Sequence, residues 1–164
     1  MKPLIYLETT KPSFFYDTRT DSESKVMRRW TQEWWNERRS SFELVTSEAV
    51  IIELQAAPEP KRTKALKLIS DIPLLEIPEE INDIVVFYIE RKLMPRNPTG
   101  DALHVALASF YKCDFLLTWN CRNIANAEKF QHLRIVNNIL GLDVPILTTP
   151  ELLMGDDYEN KSSY

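Results

Sequence analysis

The sequence predicts an α/β fold: a mostly parallel central sheet of about five strands with helices on both faces. Two observations predict it. Five short runs rich in apolar and β-branched residues are bounded by polar residues or proline. Segments whose apolar residues recur every three or four positions lie between those runs. The 164 residues suit one domain, read as residues 1–154 followed by a flexible polar tail over 155–164.

The elements follow in order. Residues 4–7 (Leu-Ile-Tyr-Leu) form a buried first strand. Thr20-Asp21-Ser22-Glu23 has the spacing of a capping box and precedes a helix marked by Val26, Met27, Trp30 and Trp34 and running through Arg39. Residues 42–46 are the second strand. Ser47 is the expected cap of a helix through Gln55, stopped before Pro58. Residues 60–69 make a basic helix. Residues 74–77 are a short third strand between Pro73 and Pro78. Ile81, Ile84, Val85, Tyr88 and Ile89 mark one face of a further helix, ending before Pro95. Residues 97–100 (Asn-Pro-Thr-Gly) read as a loop leading into a helix over 101–111. Residues 115–118 are the fourth strand. A helix over 126–140 is closed by Gly141, and 146–148 is the fifth strand. Thr149 and Pro150 suit the cap and first position of a last short helix.

Composition removes several function classes. Hydrophobic content of 44% and charged content of 27% are ordinary for a globular protein. No run approaches the ~20 apolar residues of a membrane span, and the N-terminus has no signal-peptide pattern. Cys113 and Cys121 fit no zinc motif and no disulfide framework, so both are expected reduced, in a cytoplasmic protein. With three glycines, the chain contains neither a phosphate-cradling loop nor a dinucleotide fingerprint. The net charge is -4, most of it from residue 151 onward. That balance argues against strong non-specific nucleic-acid binding but leaves a nucleic-acid substrate open.

Four polar residues stand where the pattern is otherwise apolar: Glu8 after the first strand, Glu53 after Val50-Ile51-Ile52, Asp101 at the start of a helix, and Asn120 after the fourth strand. Buried acids are costly unless paired or metal-bound. Parallel sheets place ligands at the carboxyl ends of their strands, where Glu8 and Asn120 fall. Singly, each has an ordinary reading: Glu53 as a solvated helix residue, Asp101 as a charge favoured by the helix dipole, Asn120 as a turn residue. Together, three carboxylates and an amide suit a hard cation such as Mg²⁺ or Mn²⁺. Such an ion can activate water and clamp phosphate oxygens, which points to phosphodiester hydrolysis. His104 and His132 lie in no nucleophilic motif, and His104 reads as a packed or hydrogen-bonded residue.

The segments Tyr6-Leu7-Glu8-Thr9-Thr10, Ser47 to Leu54, Gly100-Asp101-Ala102-Leu103-His104-Val105-Ala106 and Leu116-Leu117-Thr118-Trp119-Asn120 resemble, in order, the four signature segments of PIN-domain ribonucleases. Within that family they most resemble the VapC-type toxins of toxin–antitoxin pairs. The resemblance spans residues 4 to about 153. It implies a three-layer fold, a shared acidic site for Mg²⁺ or Mn²⁺, and cleavage of RNA. It would make Glu8, Glu53 and Asp101 metal ligands and Asn120 the fourth catalytic position, with Thr10 and Thr118 supporting. Two residues depart from the family pattern: the first acid is Glu8 rather than Asp, and the fourth position is neutral Asn120.

Arg91, Lys92 and Arg96 precede Asp101 and are the expected phosphate contacts. Lys61, Arg62, Lys64 and Lys67 form a second basic cluster, and Lys25, Arg28, Arg29, Arg38 and Arg39 a third; ordinary solvated helix faces account for both. Trp30, Trp34 and Trp35 share one helix. Adjacent indoles are not expected to face one core, which leaves one as a candidate anchor for a partner. The resemblance further implies a protein antitoxin and a homodimer. The alternatives are a catalytically weak PIN-like RNA-binding or regulatory module, a structure-specific DNA nuclease, and a metal-free interaction domain.

Overall fold

A computed structural model describes residues 1–96 and 99–155, with the backbone only at Thr99. Asn97, Pro98 and residues 156–164, most of the expected tail, lie outside the described residues. The chain folds as a five-stranded, all-parallel sheet with helices between the strands. The strands are β1 (Leu4–Leu7), β2 (Glu43–Ser47), β3 (Leu74–Leu75), β4 (Phe115–Leu117) and β5 (Ile146–Thr148). The helices are α1 (Thr10–Phe15), α2 (Ser22–Glu37), α3 (Glu48–Gln55), α4 (Lys61–Leu68), α5 (Glu80–Glu90), α6 (Thr99–Phe110) and α7 (Ala127–Leu140). Among the described residues no helix is long and apolar enough to cross a membrane.

Strand order is β3-β2-β1-β4-β5, every neighbouring pair parallel. Ile5, Tyr6 and Leu7 of central β1 are wholly buried, as a strand covered on both faces must be. The right-handed rule for parallel crossovers places helices preceding β3 on one face and those following it on the other. Chain direction across the sheet therefore reverses between β1 and β4. The carboxyl ends of those two strands bound the crevice where such sheets bind ligands.

Local differences from the sequence reading have physical reasons. Helix α1 was not expected: it has six residues, no apolar period, and Pro12 in its first turn, where a proline's missing N–H costs nothing. Asp21 caps α2 by accepting from Ser24 N at 2.9 Å, one residue beyond the Thr20 that the capping-box spacing indicates. Strand β3 has two residues rather than four, a short edge strand hemmed by prolines. Helix α6 begins at Thr99, so Gly100 lies in its first turn rather than in a loop. The last helix is a 3-10 turn over Glu151–Leu153. Asn126 caps α7, and Gly141 ends it in the left-handed conformation at φ 69°.

The tryptophan expectation is corrected. Trp34 and Trp35 are both buried. Trp34 stacks on Phe42 with ring centroids 5.7 Å apart, and Trp35 meets the edge of Phe15 at 6.1 Å. Adjacent indoles can both be covered because α2 has neighbours on two sides, α1 and the entry to β2. Beneath Trp34 lies Lys11, itself wholly buried, its ammonium 4.5 Å from the ring centroid and donating to the Thr31 carbonyl at 3.1 Å. Burial holds the Lys11 pKa well below the usual lysine range. Several members of the two basic helix clusters are tied up: Arg62 pairs with Glu59, Arg39 with Asp71 and Arg29 with Glu33.

Candidate metal centre at the carboxyl ends of the central strands

Glu8 leaves the end of β1 and is 4% exposed. Its Oε2 accepts three hydrogen bonds: Thr10 N at 3.0 Å, Thr10 Oγ1 at 2.5 Å and Thr118 Oγ1 at 2.7 Å. Three donors on one oxygen offset the cost of its burial. They leave Oε1 as the oxygen available to a cation. Thr118 is wholly buried just past β4. Its hydroxyl donates to Glu8 and accepts from Asn120 N at 2.9 Å.

Asn120 continues the chain of contacts to Asp101. Its Nδ2 donates to Asp101 Oδ1 at 3.1 Å, and its Oδ1 accepts from Asn123 N at 3.1 Å. Asn123 Nδ2 donates to the other Asp101 oxygen at 3.1 Å. Asp101 sits in the first turn of α6, 7% exposed, where the helix dipole favours a negative charge. Two amides thus hold it from the loop after β4. With both ends of its side chain engaged, Asn120 orients Asp101.

Glu53 approaches from α3 and is the most open acid, its side chain 37% exposed. Thr9 Oγ1 donates to Oε2, and His104 Nε2 lies 2.8 Å from Oε1. Burial pushes the Glu53 pKa upward, but the hydrogen bond and charge of His104 and the Thr9 hydroxyl outweigh it, and the net displacement is downward. His104, 1% exposed, is one turn beyond Asp101 on α6. Burial lowers its pKa, and the bond to Glu53 with the fields of Glu8, Glu53 and Asp101 reverses this to a net rise. Gly100 makes the approach of Glu53 possible: a Cβ there would lie 2.8 Å from Glu53 Oε1.

The four positions singled out in the sequence therefore meet at one place, in two linked sets. Glu8, Thr10, Thr118, Asn120 and Asp101 form one continuous hydrogen-bonded chain. Glu53 joins through Thr9 and His104. Donor atoms of Glu8, Glu53 and His104 lie within 4.8 Å of one another. Opposite ligands of Mg²⁺ stand about 4.2 Å apart, from bonds of about 2.1 Å, so Glu8 and Glu53 fit around a single ion after a small adjustment; Asp101 is not part of this group, and His104 Nε2 within it is engaged with Glu53 Oε1. Arg91 and Lys92 follow α5 and are exposed, as is Arg96; Arg91 lies over Phe87 at 4.8 Å.

Sequence reasoning missed Thr9, Asn123, Tyr6 and Ser47 as participants. Tyr6 and His104 did carry a signal. Each puts a polar tip inside an apolar run, and a buried polar tip needs a partner. No protein-family model matches this chain, and no curated protein matches it.

Proposed function

We propose that the protein is a metal-dependent endoribonuclease of the PIN class, acting in the cytoplasm as the toxin of a toxin–antitoxin pair. The observation that carries the reading is the approach of Glu8 and Glu53 to one another at the carboxyl end of β1, with Asp101 tied to the same place through Asn120, Thr118 and Glu8, where an open parallel sheet binds its ligand. Glu8 through Oε1, Glu53 and Asp101 would hold Mg²⁺ or Mn²⁺. When bound, the ion supplies an activated water and charge neutralisation at a phosphate. The protein's own groups keep the acids oriented. Thr10 and Thr118 fix Glu8, Asn120 and Asn123 fix Asp101, and Thr9 and His104 fix Glu53. Arg91, Lys92 and Arg96 are the proposed phosphate contacts, RNA the substrate, and an antitoxin and a second copy of the chain the proposed partners.

A second reading, a catalytically weak RNA-binding module, is favoured by Asn120: an acid in that place would add a charge, whereas here both ends of the side chain serve neighbouring groups. One experiment separates the two. Labelled single-stranded and hairpin RNAs and a branched DNA are incubated with metal-stripped protein, and Mg²⁺ or Mn²⁺ is added back. Metal-dependent cleavage of RNA by wild type, lost in Asp101→Asn, supports the nuclease. Cleavage confined to the DNA makes the substrate branched DNA. RNA binding without cleavage, unchanged in Asp101→Asn, supports the module, and absence of Mn²⁺ binding rejects the metal site.

A further inference from the structure

A buried hydrogen-bonded line runs beneath Glu53. Ser47 Oγ lies 2.7 Å from the Tyr6 hydroxyl, the Tyr6 hydroxyl 2.7 Å from His104 Nδ1, and His104 Nε2 2.8 Å from Glu53 Oε1. The four residues come from four elements: the end of β2, β1, α6 and α3. Ser47 and Tyr6 are wholly buried and His104 nearly so, while Glu53 is half open. Ser47 precedes α3 as its cap residue but makes no capping bond with its side chain; the hydroxyl is spent on Tyr6 instead. The line therefore starts in the core and ends on the one acid of the site that solvent reaches.

We propose that His104 is a positioning residue for Glu53, held in one orientation by Tyr6 and Ser47, so that the Glu53 carboxylate stands ready for a divalent cation. The proposal rests on the metal-dependent reading above and adds to it a group outside the three carboxylates. The orientation follows from donor and acceptor inventory. An ionised Glu53 can only accept, so His104 Nε2 carries a proton toward it. In the neutral ring, Nδ1 then accepts from Tyr6, which in turn accepts from Ser47. In the charged ring, Nδ1 donates to Tyr6, which donates to Ser47. Both states leave Nε2–H on Glu53, so the positioning does not depend on the ring's charge. An exposed glutamate otherwise spreads over several rotamers, whose loss on binding opposes it. Fixing the side chain beforehand removes that cost from the metal-binding step. Partners behind a ligand typically account for roughly 10–100-fold in metal affinity.

The test is Mn²⁺ binding to the full chain, read by the loss of the free-ion electron paramagnetic resonance signal, with thermal unfolding measured in parallel. His104→Leu is expected to bind roughly 10–100-fold more weakly than wild type. His104→Gln, whose amide N–H can replace Nε2–H, is expected to stay within roughly threefold. Tyr6→Phe, which frees the ring to turn, is expected to fall between. The inference is overturned by wild-type affinity in a folded His104→Leu, by equal losses in His104→Gln and His104→Leu, or by nitrogen hyperfine coupling on bound Mn²⁺, which would make His104 a ligand. If His104→Leu does not fold, wild-type affinity in Tyr6→Phe overturns it. A wild-type chain that binds no Mn²⁺ rejects the metal reading and the inference together. That result is distinct from those in which wild type binds and only the variants decide.

Discussion

Two buried polar networks flank the same helix, α6, and they are built on different principles. At its first turns, Asp101 and His104 join Glu8, Glu53, Asn120 and five hydroxyls, those of Tyr6, Thr9, Thr10, Ser47 and Thr118. Near its end, Ser109 joins Tyr88 of α5 and Asn137 of α7. Tyr88 donates to Asn137 Oδ1 at 2.6 Å, and Asn137 donates to Ser109 Oγ at 3.0 Å and to the Asp143 carbonyl at 2.8 Å. Ser109 in turn donates to the Val105 carbonyl at 2.8 Å. This second network is neutral, closed to solvent and internally satisfied, and it ties three helices together. The first holds three carboxylates, one of them half open. Satisfied neutral networks fix a fold, whereas gathering like charges at a crevice costs stability and is retained where a cation or substrate offsets it.

The largest difference between the networks should appear when each loses one member. Asn137→Ala removes the Tyr88 hydroxyl's main acceptor and a donor to Ser109 Oγ, both buried. It is expected to cost about 2–4 kcal/mol in chemical denaturation while leaving Mn²⁺ affinity of the folded protein unchanged. Glu53→Gln keeps an acceptor for His104 in a half-open position. It is expected to change stability by less than about 1 kcal/mol and to weaken Mn²⁺ binding at least tenfold. If Asn137→Ala lost metal affinity as well, the two networks would be one coupled unit.

A second contrast lies in the tyrosine each network contains. Burial pushes the Tyr88 pKa up to about 12, against its hydrogen bonds to Ser109 and Asn137. Burial raises Tyr6 further still; the bond to Ser47 opposes this, and the negative fields of Glu8 and Glu53 add to it. Both native values exceed the unfolded value of about 10. The stability associated with protonation is thus intact below pH 10 and is lost as the pH rises through the native values. Each tyrosine is expected to contribute a slope of about 1.4 kcal/mol per pH unit above pH 10. In alkaline denaturation series, Tyr88→Phe should remove a slope that ends near pH 12, whereas Tyr6→Phe should remove a slope that continues beyond it. Identical alkaline profiles for wild type and Tyr6→Phe would mean that burial does not raise the Tyr6 phenol.

How much of this was legible in the sequence differs between the sheet and the site. Strands β1 and β4 are runs of largely buried residues in the middle of the sheet, and β5 at its edge is an apolar run that exposes only Ile146, so local composition marks all three. The acids stand out because Glu8, Glu53 and Asp101 interrupt apolar context. What holds the acids is not local. The Tyr6–His104 bond spans 98 residues of sequence and the His104–Glu53 bond 51, and no periodicity records such pairings. Helix α1 escaped for a related reason. Its wholly buried Lys11 makes sense only against Trp34 of α2, a contact that folding supplies and that the hexapeptide does not advertise.

The smallest expected effect is also the most local. Gly100 faces Glu53 across the junction of α6 and α3, and an added Cβ would come within 2.8 Å of Oε1. Only the carboxylate end of a side chain stands in the way, so the clash can be relieved by moving Glu53 rather than backbone. Alanine is also the better helix former by about 1 kcal/mol. Gly100→Ala is therefore expected to keep its thermal stability. The displaced carboxylate should leave His104 Nε2, and Mn²⁺ affinity should fall by roughly 3–10-fold, at or below the low end of the range for disturbing a ligand's support. A methyl group that carries no charge and touches no metal would then weaken binding only through the placement of one oxygen. Unchanged Mn²⁺ affinity in Gly100→Ala would instead mean that Glu53 binds as well from other rotamers, and that the first network, unlike the second, tolerates loose geometry.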